Sequence, residues 1–156
     1  MKNKSIITKL RRDRRAPHFK PLTLLIALDI LDEQKYFSPV IPVKIIIERF
    51  EGLSKIIGLK KTHSKGFMPF WHLSGDNIFI HYSNKHELVS NSLFKFGKPK
   101  SKSQLLSKVD YAIINQSKLN YFNNKIRRKK LRKEIFSLLK KDNNENSKKI
   151  LKHFNV

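Results

Sequence analysis

Phe67-Met68-Pro69-Phe70-Trp71-His72-Leu73-Ser74-Gly75-Asp76-Asn77-Ile78-Phe79-Ile80-His81-Tyr82 decides the fold class of this chain. Aromatic and apolar residues fill both ends of the stretch, and the four residues Ser74 to Asn77 are turn formers. This reads as a β-hairpin, two aromatic-rich strands closing on Ser74-Gly75-Asp76-Asn77. With Ser74 opposite Asn77, Trp71 faces Ile80 and Leu73 faces Ile78. Phe70, His72, Phe79 and His81 then share the other face. Without this stretch the pattern would be all-helical. With it, the expected class is α+β, mainly α: a small helical domain with one short β-hairpin.

On the N-terminal side, Val43, Ile46, Ile47, Phe50, Leu53 and Ile57 recur at i, i+3, i+4 spacing. Pro42 suits the start of that helix and Gly58 its stop. Leu22 to about Asp32 is apolar at nearly every position, which predicts a helix buried on most sides, with Pro21 at its first position. Asp32 to Pro42 reads as a loop, and the polar, basic stretch 60–66 as another. On the C-terminal side, Asn84 and Glu87 in capping-box spacing predict a short helix to about Ser92. Residues 95–104 form a basic loop, and Leu105 to Phe122 one or two short helices. Asn123-Asn124 caps a final helix from Lys125 to Lys140. Its residues Ile126, Leu131, Ile135, Leu138 and Leu139 are expected to face inward, and Lys125, Arg128, Lys129, Arg132 and Lys133 outward. Three regions follow: a basic N-terminal arm or helix (1–16), a domain (17–140) and a polar C-terminal tail (141–156), in which Ile150, Leu151 and Phe154 could dock.

The chain has 156 residues, 34 Lys or Arg against 12 Asp or Glu, and a net charge of +22. Chains of this length form one domain and bury roughly 70% of their unfolded surface. The basic excess is uneven. Residues 1–20 carry net +7, residues 21–90 net +1 and residues 91–156 net +14. A coding preference for Lys would spread it evenly, so two basic ends around a near-neutral middle point to a polyanionic partner, nucleic acid first. Four of the eight Arg lie within five positions (Arg11, Arg12, Arg14, Arg15), and Arg127, Arg128 and Arg132 make a second cluster. Guanidinium forks suit phosphates. The plainer readings are a solvated arm and a solvated helix face.

Other function classes find little support. The chain has no Cys, hence no disulfide framework and no thiol nucleophile. The longest apolar run is too short to span a bilayer, and Arg11 to Arg15 stand where a signal peptide needs apolar residues. The expected location is the cytoplasm, with no membrane partner. His63, His72 and His81 recur every nine residues, which fits no single face of a helix, so no metal site is expected. There is no Gly-rich phosphate loop and no nucleophile–base set. No catalytic residue and no cofactor are assigned. A nuclease with an unrecognised site, using one of those His, stays as the alternative from another class.

Two segments carry a family resemblance. Leu10-Arg11-Arg12-Asp13-Arg14-Arg15-Ala16-Pro17-His18-Phe19-Lys20-Pro21-Leu22, running into Thr23 to Leu28, resembles the opening of the sulfur-binding domain of phosphorothioation-dependent type IV restriction endonucleases. Met68-Pro69-Phe70-Trp71-His72-Leu73, followed by Asp76-Asn77-Ile78-Phe79, is similar to that domain's Tyr-Pro-Phe-Trp segment. Tyr111 to Leu139 resembles its closing helices, so the likeness covers about residues 9–140. The resemblance implies a module that binds double-stranded, phosphorothioate-modified DNA in a restriction or defence role. The sulfur would enter a shallow apolar pocket made by Met68, Pro69 and His72, with His18 as a lid. Arg11, Arg12, Arg14, Arg15, Lys20, Lys65, Arg127, Arg128 and Arg132 would hold DNA backbone or base edges. Four positions depart from the family pattern: Met68 stands for Tyr, Phe19 is inserted between His18 and Lys20, His72 replaces a polar residue or Arg, and Asn77 replaces the turn Gly. No nuclease half is recognised in these residues, so cleavage is expected from a partner or a missing domain. The second reading is a general nucleic-acid-binding protein of the same fold without sulfur selectivity.

Overall fold

Helix α1 (Phe19–Asp32) shows why an all-apolar run becomes a central helix: Leu22, Leu24, Leu25, Ala27, Leu28 and Leu31 are all buried, on every side of its axis. The computed structural model describes residues 5–59 and 66–156. Lys65 and His63 therefore lie outside the described residues. Pro21 sits in the first turn of α1, where its missing N–H has no intrahelical acceptor to lose. Helix α2 (Val43–Ile57) buries Val43, Ile46, Ile47 and Phe50 against α1. It ends at Gly58 with φ of 83°, a left-handed cap that glycine adopts without Cβ strain.

The stretch from Phe67 to Tyr82 is not a hairpin. Phe67–His72 forms the short helix α3, and only Phe79–Tyr82 is a strand, β2. The turn between them does form, with the Asn77 N–H donating to the Ser74 carbonyl (3.1 Å), but its arms do not pair beyond Ile78 N–H to Leu73 C=O (3.2 Å). Pro69 explains part of this. It removes a ladder donor from a strand but fits the first turn of a helix. Phe67, Phe70 and Trp71 explain the rest, because α3 packs on α1 and α2 and also lays Phe70 and Trp71 on Phe79 and His81 of the next strand, and so needs apolar residues on more than one side. Strand β2 pairs instead with β3 (Tyr111–Ile114), and β1 (Val40–Pro42) takes the other edge of β3. The sheet is antiparallel in the order β1-β3-β2. Phe79 and His81 face the core, under Phe70. Trp71 packs on His81 and Phe94, and not on Ile80.

Other expectations shift in the same way. Residues 83–88 form a closed turn rather than a helix: Ser83 Oγ accepts from the Lys85 and Glu87 N–H groups, and His86 has φ of 64°. Residues 101–122 hold helix α4 (Lys102–Lys108), then β3, then a 3-10 turn (Gln116–Tyr121). Helix α5 (Lys125–Asp142) starts where expected, with Asn124 Oδ1 accepting from the Arg127 N–H. Ile126, however, is 82% exposed, while Arg128 is buried. The C-terminal segment folds as helix α6 (Glu145–His153), with Ile150 and Leu151 buried in the common core. The N-terminal segment joins the core too, through Ile6 and Ile7. The molecule is α+β and mainly helical. Among the described residues, no helix is long and apolar enough to cross a membrane.

Candidate nucleic-acid interface

The loop before α1 is shaped by its own side chains. Asp13 Oδ1 accepts from the Arg15 N–H (2.8 Å), and the Ala16 N–H donates back to the Asp13 carbonyl (3.1 Å). The loop is then fastened to the turn after α3 by one carboxylate. Asp76 accepts from the Arg11 N–H (3.0 Å) and from the Lys20 ammonium. The Arg11 guanidinium reaches the Gly75 carbonyl (2.8 Å), and Lys20 also donates to the Arg11 carbonyl.

This clamp leaves a cleft of about 620 Å³ between the loop and α3. Ala16, Phe19, Met68, Pro69 and Trp71 make its apolar lining; Arg11, Arg12, Lys20, His72 and Lys98 supply its polar and cationic groups. The two segments that carry the family resemblance, some 50 residues apart, thus meet in one place. His72 titrates below its ordinary value, because partial burial in the cleft disfavours its charged form and Lys20 and Lys98 repel it. The cleft therefore favours its neutral form. The Ser74 hydroxyl, also in the cleft, donates to the Trp71 carbonyl (2.7 Å) and so is tied to backbone rather than to a base.

The remaining sequence-derived candidates separate into three groups. His18 does not line the cleft. It is 1% exposed and borders a second recess with Arg14, Arg15 and residues 144–146 at the start of α6. The cleft position falls to Phe19, whose ring meets Phe50 edge-on at 5.6 Å. The residue that looks inserted in the sequence has taken the place expected of the imidazole. Arg128 and Arg132 do not face outward. Arg128 Nε donates to Asp32 (2.6 Å) and its Nη1 to the Phe122 carbonyl (2.8 Å). Arg132 bridges Asp29 (2.9 Å) and Asp32 (2.6 Å). These pairs lock α5 onto α1. Burial alone would raise the Asp32 carboxyl, but the hydrogen bonds and charges of the two Arg outweigh it and hold it below the usual range. Arg12 is partly engaged as well, at 2.6 Å from Asp142. Arg14, Arg15 and Arg127 are exposed, and Arg15 lies 3.8 Å from Asp13.

Lys98 and Asn91 belong to the cleft without having been named as site residues in the sequence, and Phe19 and Ala16, which the sequence marked only as an insertion and as part of the opening motif, line it too. Lys9 and Lys118 border a smaller recess of about 270 Å³ that shares Arg11 and Gly75 with the cleft. The trace of Lys98 in the sequence was its place in the Gly97-Lys98-Pro99 stretch of a basic loop. His72 lies on α3 and His81 on β2, and among the described residues no group of His, Asp or Glu could hold a metal ion. Comparison with family models, with curated proteins and with solved structures finds no match for this chain.

Proposed function

We propose that this chain is a cytoplasmic DNA-binding module that recognises phosphorothioate-modified duplex DNA in a restriction or defence role, with cleavage supplied by a partner nuclease. One observation carries the reading: Met68 and Pro69 lie beside Phe19, Ala16 and Trp71 in a cleft that also holds Arg11, Lys20, His72 and Lys98. An apolar lining with cations beside it suits a group that is anionic as a whole but weakly hydrated at one atom. A non-bridging phosphate oxygen placed against that lining loses its water and gains no donor, at a cost on the order of a few kcal/mol. Sulfur is larger, softer and less hydrated, so the same surface costs it little. Met68 adds a polarizable thioether beside it. Arg11, Lys98 and the exposed Arg14 and Arg15 would take neighbouring phosphates, and affinity would fall steeply with salt.

The deciding experiment compares one duplex with and without a single phosphorothioate, at moderate salt. Tighter binding of the sulfur-bearing duplex, lost in Pro69→Ala, supports the reading. Equal affinity for both duplexes removes sulfur recognition. The buried position of His18 favours a second reading, a general DNA-binding module of this fold. Equal affinities together with a steep salt dependence would establish it.

A further inference from the structure

We infer that Phe96 is a base-contacting residue whose ring enters a groove of duplex DNA beside the cleft and wedges against a base step next to the bound phosphate. This rests on the DNA-binding reading of the cleft and deepens it. Phe96 is 61% exposed, whereas six of the eleven Phe are buried. It occupies the third position of a tight turn closed by the Gly97 N–H on the Phe94 carbonyl (3.0 Å), and Gly97, with φ of 72°, leads the chain out of the turn in a left-handed conformation that glycine adopts without Cβ strain.

The turn is anchored on both sides. Phe94 is buried, edge-on to Trp71 at 5.0 Å, and Pro99 is buried after it. Trp71 itself lines the cleft, and so do Gly97 and Lys98. A single buried aromatic contact therefore fixes where Phe96 stands relative to the bound phosphate. The ring is flanked by cations. The Lys100 ammonium lies 4.3 Å and the Lys95 ammonium 5.6 Å from its centroid. In the free protein each lysine is held to the exposed ring by a weak cation–π attraction. Phosphates on either side of a groove would draw the two lysines off, leaving the ring facing base edges and sugars. Apolar wedges flanked by basic residues act in this way where proteins unstack a base step.

The test uses the full chain and a duplex with one phosphorothioate and 2-aminopurine at the neighbouring steps. The expected result is that wild-type binding raises 2-aminopurine fluorescence. Phe96→Ala should lose that rise and bind about tenfold more weakly with an unchanged salt slope, since one ring–base contact is lost and no phosphate contact. Phe96→Trp should restore both. Lys98→Ala, by contrast, should lower the salt slope by about one and keep the fluorescence rise. Tyr36→Ala serves as the control. Tyr36 is also exposed with a lysine over its ring, but it follows the far end of α1 from Phe19, roughly 20 Å away along the helix. It should change nothing. Phe96→Ala binding like wild type, or weakening only through a lower salt slope, would overturn the inference. Loss of sulfur preference with the Phe96 effect intact would sink the sulfur reading alone. No binding of wild type to any duplex would overturn both.

Discussion

The Lys20 ammonium and the Asp76 carboxylate form an ion pair that is nearly closed to water: their side chains are 12% and 3% exposed. Lys20 resembles a DNA contact by sequence, yet in the folded chain it is the bolt between the loop at 10–18 and the turn after α3. Asp76→Ala strands that ammonium and releases the Arg11 N–H, so it should cost about 3 kcal/mol of stability in denaturant unfolding. It should also open the cleft, weakening DNA binding despite removing a negative charge. Tighter binding by the variant would mean that Asp76 acts only as a repulsive charge.

Gly66 precedes α3 at a place where backbone meets core. A Cβ built on it would lie 2.8 Å from Phe50 Cβ. Neither atom can swing aside, because Phe50 is fully buried under Phe19. Gly66→Ala should therefore lower stability by about 2 kcal/mol and shift α3, and with it Met68 and Pro69. Gly52→Ala, with open space at its Cβ, is the matched control and should be neutral or slightly stabilising.

Arg128 and Arg132 fasten α5 to α1 through Asp29 and Asp32. Truncating Arg128 leaves the Phe122 carbonyl and one side of Asp32 without their donor, so Arg128→Ala should cost about 2 kcal/mol. The salt slope of DNA binding should stay as in wild type. A slope reduced by about one would show that Arg128 reaches phosphate after all.

His81 gives the fold its acid sensitivity. Both ring nitrogens are buried without a hydrogen-bond partner, between Phe70 and Trp71, and burial pushes the imidazole down to about 3. The folded chain holds the neutral ring, whereas the unfolded chain protonates near 6.5. Stability from this group is thus complete above pH 6.5 and is lost as pH falls from there toward 3, at up to about 1.4 kcal/mol per pH unit. His81→Leu should flatten that decline between pH 6.5 and 4.5, where the depressed Asp32 carboxyl is still ionised. Parallel wild-type and variant curves from urea melts would place the acid sensitivity elsewhere.

How far the sequence could be read depended on element length and on pairing. Helix α2 was legible because fifteen residues let Val43, Ile46, Ile47 and Phe50 repeat on one face, with Gly58 at its end. Helix α3 was not, because six residues apolar on both sides show no period and imitate a strand. Strands β1 and β3, at three and four residues, alternate in burial but not in residue polarity, so their sequences carry no strand signal either. The Arg128 and Arg132 pairs were hidden for another reason. Their partners Asp29 and Asp32 lie roughly a hundred residues away, although two acids one turn apart in an otherwise apolar helix mark a buried counter-charge. The cleft was half legible: the segments around Lys20 and Pro69 were both picked out, but nothing local showed that Phe19, and not His18, would face it.

The strand order β1-β3-β2 also dictates a sequence of events. The central strand is the last of the three to be made, with partners roughly 30 and roughly 70 residues upstream. Closing the longer loop costs only about 0.7 kcal/mol more than the shorter, so timing matters more than loop entropy. Until Ile114 has left the ribosome neither edge strand has a neighbour, and α1 waits still longer for α5 to cover it. At about 5–20 residues per second, the side of α1 that α5 will cover stays open for several seconds. A nascent chain of this protein should therefore be a client for a trigger-type chaperone over that interval, and its refolding should be slower than that of an all-helical protein of equal length.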